Sequence, residues 1–281
     1  MEGLKLKVLE DIKKTGFPFE LKVAKKFEDL KWRVLHSLYY IDKDQNIGRE
    51  VDLKCHKHMS QFSDDRDCLE YTYNMVVEIK QSKEKPWVFF TSDDKRILFP
   101  GHLAKNKSAN KLQEEMGYDT IEISTLRKRE LYHKTTAKSS YIALSSNKRD
   151  DIYKALSTSV KALVHFKETC YATLDNSDNG DLLFESFNPV VIVDGELYEA
   201  YLTEEDEVEI KDSKYIQVAF NYVSPNYFSS VDEDNNEFLV HVVHFDYLEQ
   251  FIVDFEKLHS TKIFNKLKKK INKLMGKDAF K

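Results

Sequence analysis

The sequence predicts an α/β fold, in which a central mixed β-sheet is flanked by helices in the order αβββαβ. Apolar residues recur at helical spacing near the start, three strand-like runs follow between residues 32 and 82, and a second helical stripe precedes a buried strand. With 281 residues, 41% of them hydrophobic and 32% charged, the chain can bury a sizeable core. We therefore expect one core domain that carries insertions and a C-terminal elaboration.

Two short helices are predicted at the start of the chain. Gly16 and Pro18 separate them, and the second helix is expected over 17–31. Leu21, Ala24 and Phe27 are expected to face the sheet. The apolar stripes are Leu4, Val8, Leu9 and Ile12 in the first helix, and Leu21, Ala24, Phe27 and Leu30 in the second.

Three strands are predicted next, because β-branched and aromatic residues cluster in short runs bounded by polar stretches. We expect them near 32–41, 49–55 and 71–82, with the polar stretch 56–70 as a loop. A meander of these strands would place the second beside the third.

The second half of the chain has one clear helix and several strands. Residues 87–90 suggest a short strand and 102–116 a helix, while Asp194 and Gly195 predict a turn that returns one strand as a hairpin. The other predicted elements are a helix over 150–167, strands over 189–194, 214–223 and 237–245, and a helix over 247–258.

Charge is distributed unevenly along the chain. The net charge is −5, yet residues 262–281 contain eight Lys and only Asp278 as an acid, which excludes a uniformly basic nucleic-acid binder. A basic amphipathic helix is predicted over 261–281. It could bind nucleic-acid phosphates, lie on an anionic membrane, or dock on the domain with a solvated lysine face. We favour docking with a phosphate-facing side; the apolar face holds Ile263, Leu267, Ile271 and Leu274.

The cysteine content and the hydropathy favour a cytoplasmic protein without a membrane span. The chain has three cysteines, no apolar leader near its start, and no run of ~18 apolar residues. Zinc is disfavoured, because the spacing of Cys55, His56, His58 and Cys68 matches no standard ligand pattern.

One pattern of polar residues on the predicted strands suggests a catalytic site. Side chains alternate along a strand, so Glu78 and Lys80 point the same way, and Asp52 on the preceding strand is expected beside Glu78. Val51 and Leu53 are expected to share the opposite face from Asp52. An E-x-K strand is usually a solvated face, but the apolar run around Glu78 indicates a central strand where a charge needs a reason.

Such a set suits the hydrolysis of phosphodiester bonds. A bound Mg²⁺ or Mn²⁺ would acidify the attacking water and offset the extra charge of the transition state. Asp52, Glu78 and the backbone carbonyl of Ile79 would suffice as ligands. Lys80 would position or deprotonate the water, and Glu20 would hold a second ion or its waters.

These residues resemble a known family. The stretches TGFPFELKVAKKFEDLKWRVLHSLYYIDKDQNIGREVDL and VVEIKQSKEKPWVFF look like the Mrr-like branch of the PD-(D/E)xK nucleases. The resemblance implies a restriction-endonuclease-like core with core motifs over 15–92, an insertion over 93–149, and closing elements over 150–260. Catalytic positions then fall on Glu20, Asp52, Glu78 and Lys80, with Gln81 and Ser82 as supporting or phosphate-contacting residues.

The sequence departs from the family pattern in two places. Val51 stands where the family often has Pro, and 25 residues separate Asp52 from Glu78. Neither departure removes a ligand, although the long insertion leaves the substrate geometry open.

The resemblance implies a nuclease that acts on DNA more readily than on RNA, in defence against foreign DNA or in DNA repair. Two alternatives stay open: a catalytically silent fold that binds nucleic acid or supports assembly, and a nuclease subunit active only with a partner. A protein partner and a homo-oligomer both stay open as interactions of the chain. The chain has no G-x-x-x-x-G-K-[ST] motif, so any ATP-driven step would come from a partner.

Overall fold

The computed structural model describes residues 2–63, 68–92, 102–105, 136–144, 151–174, 181–222, 224–227, 237–275 and 280. The helices are α1 (Glu2–Ile12), α2 (Phe17–Asp29), α3 (Asp151–Leu174), α4 (Leu248–Lys257) and α5 (Phe264–Met275), with a 3₁₀ turn at Phe245–Tyr247 and a π-helical turn at Leu258–Ile263. The strands are β1 (Arg33–Asp42), β2 (Ile47–Phe62), β3 (Cys68–Gln81), β4 (Trp87–Ser92), β5 (His102–Lys105), β6 (Thr136–Ile142), β7 (Leu182–Asp194), β8 (Leu197–Leu202), β9 (Val208–Asp212), β10 (Tyr215–Asn221) and β11 (Glu237–His244).

All the described strands belong to one mixed sheet, which confirms the predicted α/β class. The strand order is β1-β2-β3-β7-β11-β10-β6-β4-β8-β9, and β5 pairs with β7 beside this path. The first three strands form the predicted antiparallel meander. Strand β3 is then paired in parallel with β7, so it lies inside the sheet with neighbours on both sides. The prediction that the E-x-K strand is central is therefore confirmed.

Helices cover both faces of the sheet. On one face α2, α4 and α5 pack over a core that includes Leu53, Val77 and Ile79. On the other face α3 packs over a core that includes Val76 and Val191. Consecutive residues of β3 point into opposite cores. A polar side chain on this strand therefore occupies a position that would otherwise hold an apolar core residue.

Helix α2 packs against the sheet, but with a face that differs in part from the predicted one. Ala24 and Phe27 are buried as expected, together with Phe19 and Val23. Leu21 was expected to face the sheet and is instead exposed. The buried face of α2 is rotated relative to the predicted face. Phe19 and Val23, which are four residues apart, supply more apolar surface than Leu21 alone.

Three further predictions about elements are wrong. The stretch 56–70 is mainly strand, because β2 runs to Phe62 and β3 begins at Cys68, with a continuous ladder from Leu53–Val77 to Phe62–Cys68. Residues 102–105 form strand β5 rather than a helix, and the rest of 102–116 lies outside the described residues. The turn at Gly195 does not return β7 as a hairpin, because β8 pairs with β4 and β9.

The predicted basic helix near the end of the chain corresponds to α5. Leu267 and Ile271 of α5, and Ile263 in the π-helical turn before it, are buried in the core that α2 and α4 also cover. The side chain of Leu274 lies outside the described set. The helix therefore docks on the sheet, and the phosphate-facing side of that prediction stays a prediction.

A buried charged network joins the end of β1 to α3. Asp42 is 2% exposed. Its carboxylate accepts hydrogen bonds from Lys161 Nζ at 2.9 and 3.0 Å and from Arg49 Nε at 3.0 Å. A buried carboxylate is tolerated only with such partners, so the network fastens the outer end of the meander to the helix.

Candidate active site

Strands β2 and β3 bring Asp52, Glu78 and Lys80 together. Their ladder ends at the pair Leu53–Val77, and the same register sets Asp52 opposite Glu78 one step further on. The backbone N–H of Ile79 donates a hydrogen bond of 2.6 Å to Asp52 Oδ2. In a strand, the N–H and the C=O of one residue point toward the same neighbour, so the Ile79 carbonyl also faces β2. The predicted carbonyl ligand thus lies on the side of the carboxylate of Asp52.

The expected alternation along β2 is interrupted at Asp52. Leu53 packs in the core under α2, whereas Val51 packs in the core under α3, so the prediction that they share one face is wrong. The reason lies on the neighbouring strand, where Ser37 has a φ of 52° and the ladder between β1 and β2 skips the pair Ser37–Asp52. Asp52 therefore stands at a local irregularity of the sheet.

Glu78 and Lys80 form an ion pair on the α3 side of β3. Lys80 Nζ lies 2.5 Å from Glu78 Oε1. Glu78 is 6% exposed. Its second oxygen, Oε2, is buried, and within the described ranges no donor reaches it. A buried carboxylate oxygen without a partner is costly, so this position favours a cation or a proton.

Burial and neighbouring charges shift the titration of the whole cluster. Burial, reinforced by Asp52 and Glu20 and opposed by Lys80, raises the pKa of Glu78 to about 7. Burial also raises the pKa of Asp52, against the Ile79 hydrogen bond and Lys80. For Lys80, burial lowers the pKa, but the attraction of Glu78 and Asp52 outweighs it and the net pKa is raised. A divalent cation beside Glu78 and Asp52 would offset the burial and the repulsion between like charges that raise the pKa of both carboxyl groups.

Glu20, in the first turn of α2, lies within electrostatic range of Asp52 and Glu78. The helix begins at Gly16, whose carbonyl accepts hydrogen bonds from the N–H groups of Phe19 and Glu20. The side chain is partly buried, and its pKa is raised by burial and by Asp52 and Glu50. The structure therefore places Glu20 near Asp52, from the helix layer that covers the opposite face of the sheet.

Gln81 and Ser82 are engaged in the turn that follows β3. Gln81 Nε2 donates to Asp194 Oδ2 at 3.3 Å, and the Ser82 hydroxyl donates to the Lys85 carbonyl at 2.6 Å. Gly195 approaches this turn so closely that a Cβ on it would lie 2.4 Å from the Ser82 carbonyl oxygen. These contacts hold the end of β3 against the end of β7.

Two residues that were not singled out from the sequence contribute to the electrostatics of the site. Asp151, at the start of α3, raises the pKa of Lys80. Tyr40, on β1, is 1% exposed, and burial, with contributions from Asp42 and Glu78, raises its pKa to about 12. An acidic residue at the start of a predicted helix was a visible signal for Asp151, whereas nothing in the sequence pointed to Tyr40.

Metal-binding clusters of a more obvious kind do not occur in the described part of the chain. No three His, Cys, Asp or Glu side chains there approach one another closely enough to form one. Cys55 pairs with Met75 across the β2–β3 ladder, and Cys68 lies at the far end of that ladder, paired with Phe62. The site at Asp52 and Glu78 has two carboxylates and a backbone carbonyl, which is the smaller ligand set that Mg²⁺ accepts.

None of the helices in the described ranges is long and apolar enough to cross a membrane.

Comparison with known protein families, with curated proteins and with solved structures finds no match for this chain. The resemblance to PD-(D/E)xK nucleases therefore remains a prediction from its motifs.

Proposed function

We propose that this protein is a metal-dependent nuclease that hydrolyses phosphodiester bonds, with DNA preferred over RNA. The observation that carries the proposal is the convergence of Asp52, Glu78 and Lys80 where the β2–β3 ladder ends. A central strand rarely keeps a buried carboxylate with an oxygen that lacks a partner unless that oxygen has a task.

The donor set of this site suits a hard divalent cation. Asp52 Oδ1, Glu78 Oε2 and the Ile79 carbonyl are the oxygens that would hold Mg²⁺ or Mn²⁺, with Glu20 as a further carboxylate for a second ion or for bound water. When bound, the ion would acidify the attacking water and offset the negative charge that develops on the phosphate.

The protein's own groups supply orientation and charge. Lys80, held by Glu78 Oε1, offers an ammonium group with two further protons to the water or to a phosphate oxygen. The Ile79 N–H fixes the orientation of Asp52 by its bond to Oδ2. The β2–β3 ladder ends at the pair Leu53–Val77, so the Ile79 N–H bonds the side chain of Asp52 rather than the backbone of β2.

The test is cleavage by the purified full chain, with and without Mg²⁺ or Mn²⁺, on linear DNA, plasmid DNA and RNA. We expect Asp52→Asn and Glu78→Gln to abolish cleavage, and Lys80→Ala to slow it at least about a hundredfold. Glu70→Gln is the matched control, because Glu70 lies on the same strand and outside the cluster.

Two outcomes would count against the proposal. Wild-type protein that cleaves no nucleic acid with either metal would favour a silent fold or a subunit that needs a partner. Cleavage that survives Asp52→Asn or Glu78→Gln at the wild-type rate would show that the activity resides elsewhere.

A further inference from the structure

Helix α1 presents a set of large apolar side chains to solvent. Within the described residues, no helix or strand packs extensively against it. Two further apolar residues, Phe17 and Leu21, are exposed at the start of α2. The exposed fractions are 69% for Leu4, 61% for Leu6, 49% for Val8, 47% for Leu9, 45% for Ile12, 62% for Phe17 and 63% for Leu21.

An exposed apolar surface of this size is more typical of an interface than of a solvent-facing helix. Leu6 points about 160° away from Val8 around α1 and is left out, and the other six side chains expose on the order of 600 Å² of apolar area, at the upper limit of a contiguous patch on a monomer. The ~1,200 Å² that two copies would bury together is at the lower end of standard protein interfaces. The N-terminal helix thus offers enough surface for a stable contact with one partner.

The charges around this face indicate which partner fits. Helix α1 and the turn after it carry acidic and basic groups together, namely Glu2, Glu10 and Asp11 beside Lys5, Lys7, Lys13 and Lys14. A helix that lies on an anionic membrane has a polar face dominated by Lys and Arg. Mixed charge instead suits a protein surface of mixed charge, and α1 itself is such a surface.

The helix is complementary to a second copy of itself in the antiparallel orientation. At about 100° per residue, Leu4, Val8 and Ile12 form one stripe along α1. Lys7 and Asp11 both fall on one flank of this stripe, and Lys5 and Leu9 fall on the other. If two copies cross antiparallel at Val8, Leu4 of one meets Ile12 of the other. Lys7 then lies beside Asp11 of the second copy, and the two-fold symmetry repeats this pair.

We propose that the protein forms a two-fold symmetric homodimer through α1, with Val8 near the symmetry axis and reciprocal Lys7–Asp11 ion pairs at its side. Phe17 and Leu21 extend the apolar surface toward α2. The dimer does not depend on the nuclease activity, since none of its contacts uses Asp52, Glu78 or Lys80.

The first test is the oligomeric state of the full chain, measured by sedimentation velocity and light scattering over a dilution series. We expect a dimer for the wild type and a monomer for Val8→Asp, because two carboxylates would meet at the axis and weaken association at least about a hundredfold. Leu202→Asp is the control, since it introduces the same charge at an exposed apolar residue, 64% exposed, on β8 outside α1. It should leave the dimer intact, and circular dichroism checks that every variant is folded.

The second test addresses the orientation. Lys7→Glu alone should weaken the dimer about tenfold or more, because two attractive pairs become repulsive. The double variant Lys7→Glu with Asp11→Lys should restore wild-type association. A wild type that stays monomeric at all concentrations, a Val8→Asp variant that remains dimeric, or a failure of the double reversal to rescue would each overturn the proposal. Binding of monomers to anionic phosphatidylserine vesicles would likewise overturn it, in favour of a lipid surface.

Discussion

Replacing Glu78 by Gln should change how the stability of the metal-free protein depends on pH. The pKa of Glu78 is raised from 4.5 to about 7 in the folded state, chiefly by burial. Between these two values the unfolded chain has released the proton and the folded chain still holds it. The stability contributed by Glu78 is therefore complete below pH ~4.5 and is lost as the pH rises through about 7.

The size of this loss follows from the shift. A change of about 2.5 pH units corresponds to roughly 3 kcal/mol, because each unit represents about 1.4 kcal/mol. Gln cannot ionise, so Glu78→Gln removes this dependence. The difference in the free energy of unfolding, variant minus wild type, should therefore increase by about 3 kcal/mol between pH 4.5 and pH 8. Loss of the ion pair with Lys80 would shift this difference by a constant and leave the increase unchanged.

Urea denaturation in the presence of a chelator, at a series of pH values, measures the difference. Glu204→Gln serves as the control, because Glu204 is an exposed residue in the turn after β8. Addition of Mg²⁺ at pH 8 should stabilise the wild type and have little effect on Glu78→Gln. Parallel pH profiles for the wild type and Glu78→Gln, with a constant offset, would refute the assigned shift of Glu78.

Three further variants test the site and its frame. Glu20→Gln should reduce the rate of cleavage about tenfold or more with little change in melting temperature, and full activity would remove Glu20 from the site. Asp42→Asn should lower the free energy of unfolding by about 2–4 kcal/mol, because Arg49 and Lys161 lose a buried charge partner and Lys161 keeps only Asp44. A urea midpoint equal to that of the wild type would contradict this. Gly195→Ala should destabilise by ~2–4 kcal/mol and slow cleavage, since its Cβ would collide with the Ser82 carbonyl; calorimetry and a cleavage assay report the two effects, and unchanged values for both would contradict it.

Much of the fold was predictable where local pattern and tertiary context agree. Helix α2, strand β1 and helix α3 begin within one residue of their predicted starts. Each has a strong apolar periodicity or a dense β-branched run, and each is bounded by Gly, Pro or a polar turn. The pairing of β1, β2 and β3 also followed from their closeness in the chain.

The long β2–β3 ribbon could not be read from the sequence. Lys57, His58 and Glu70 are polar and look like loop residues, yet they lie in the ladder because the β7 strand pairs with β3 along its whole length. That pairing joins segments far apart in the chain, and no local window contains it. The failed β7–β8 hairpin has the same cause, since β8 finds its partners in β4 and β9.

For the candidate site, the proximity of Asp52, Glu78 and Lys80 was predictable and part of their geometry was not. Alternation placed Glu78 and Lys80 on one face, and the register of the meander set Asp52 beside them. The local irregularity of the sheet at Ser37 and Asp52 could not be predicted, because a serine with positive φ has no special sequence signature. The contributions of Tyr40 and Asp151 arise from packing between layers, which strand and helix patterns do not specify.

The pairing of β3 with β7 has a consequence for the order in which the molecule folds. Asp52 and Glu78 lie on strands adjacent in the chain, so the β2–β3 ribbon can bring them together early at a low cost in loop closure. Gln81 and its partner Asp194 are 113 residues apart, and the parallel ladder between them must close that long loop. We therefore expect Glu78 to meet Asp52 while both are still hydrated, and to lose its water only when β7 docks. A slow folding phase that is accelerated by low pH would report this late step, because a protonated Glu78 enters the sheet without the cost of burying its charge.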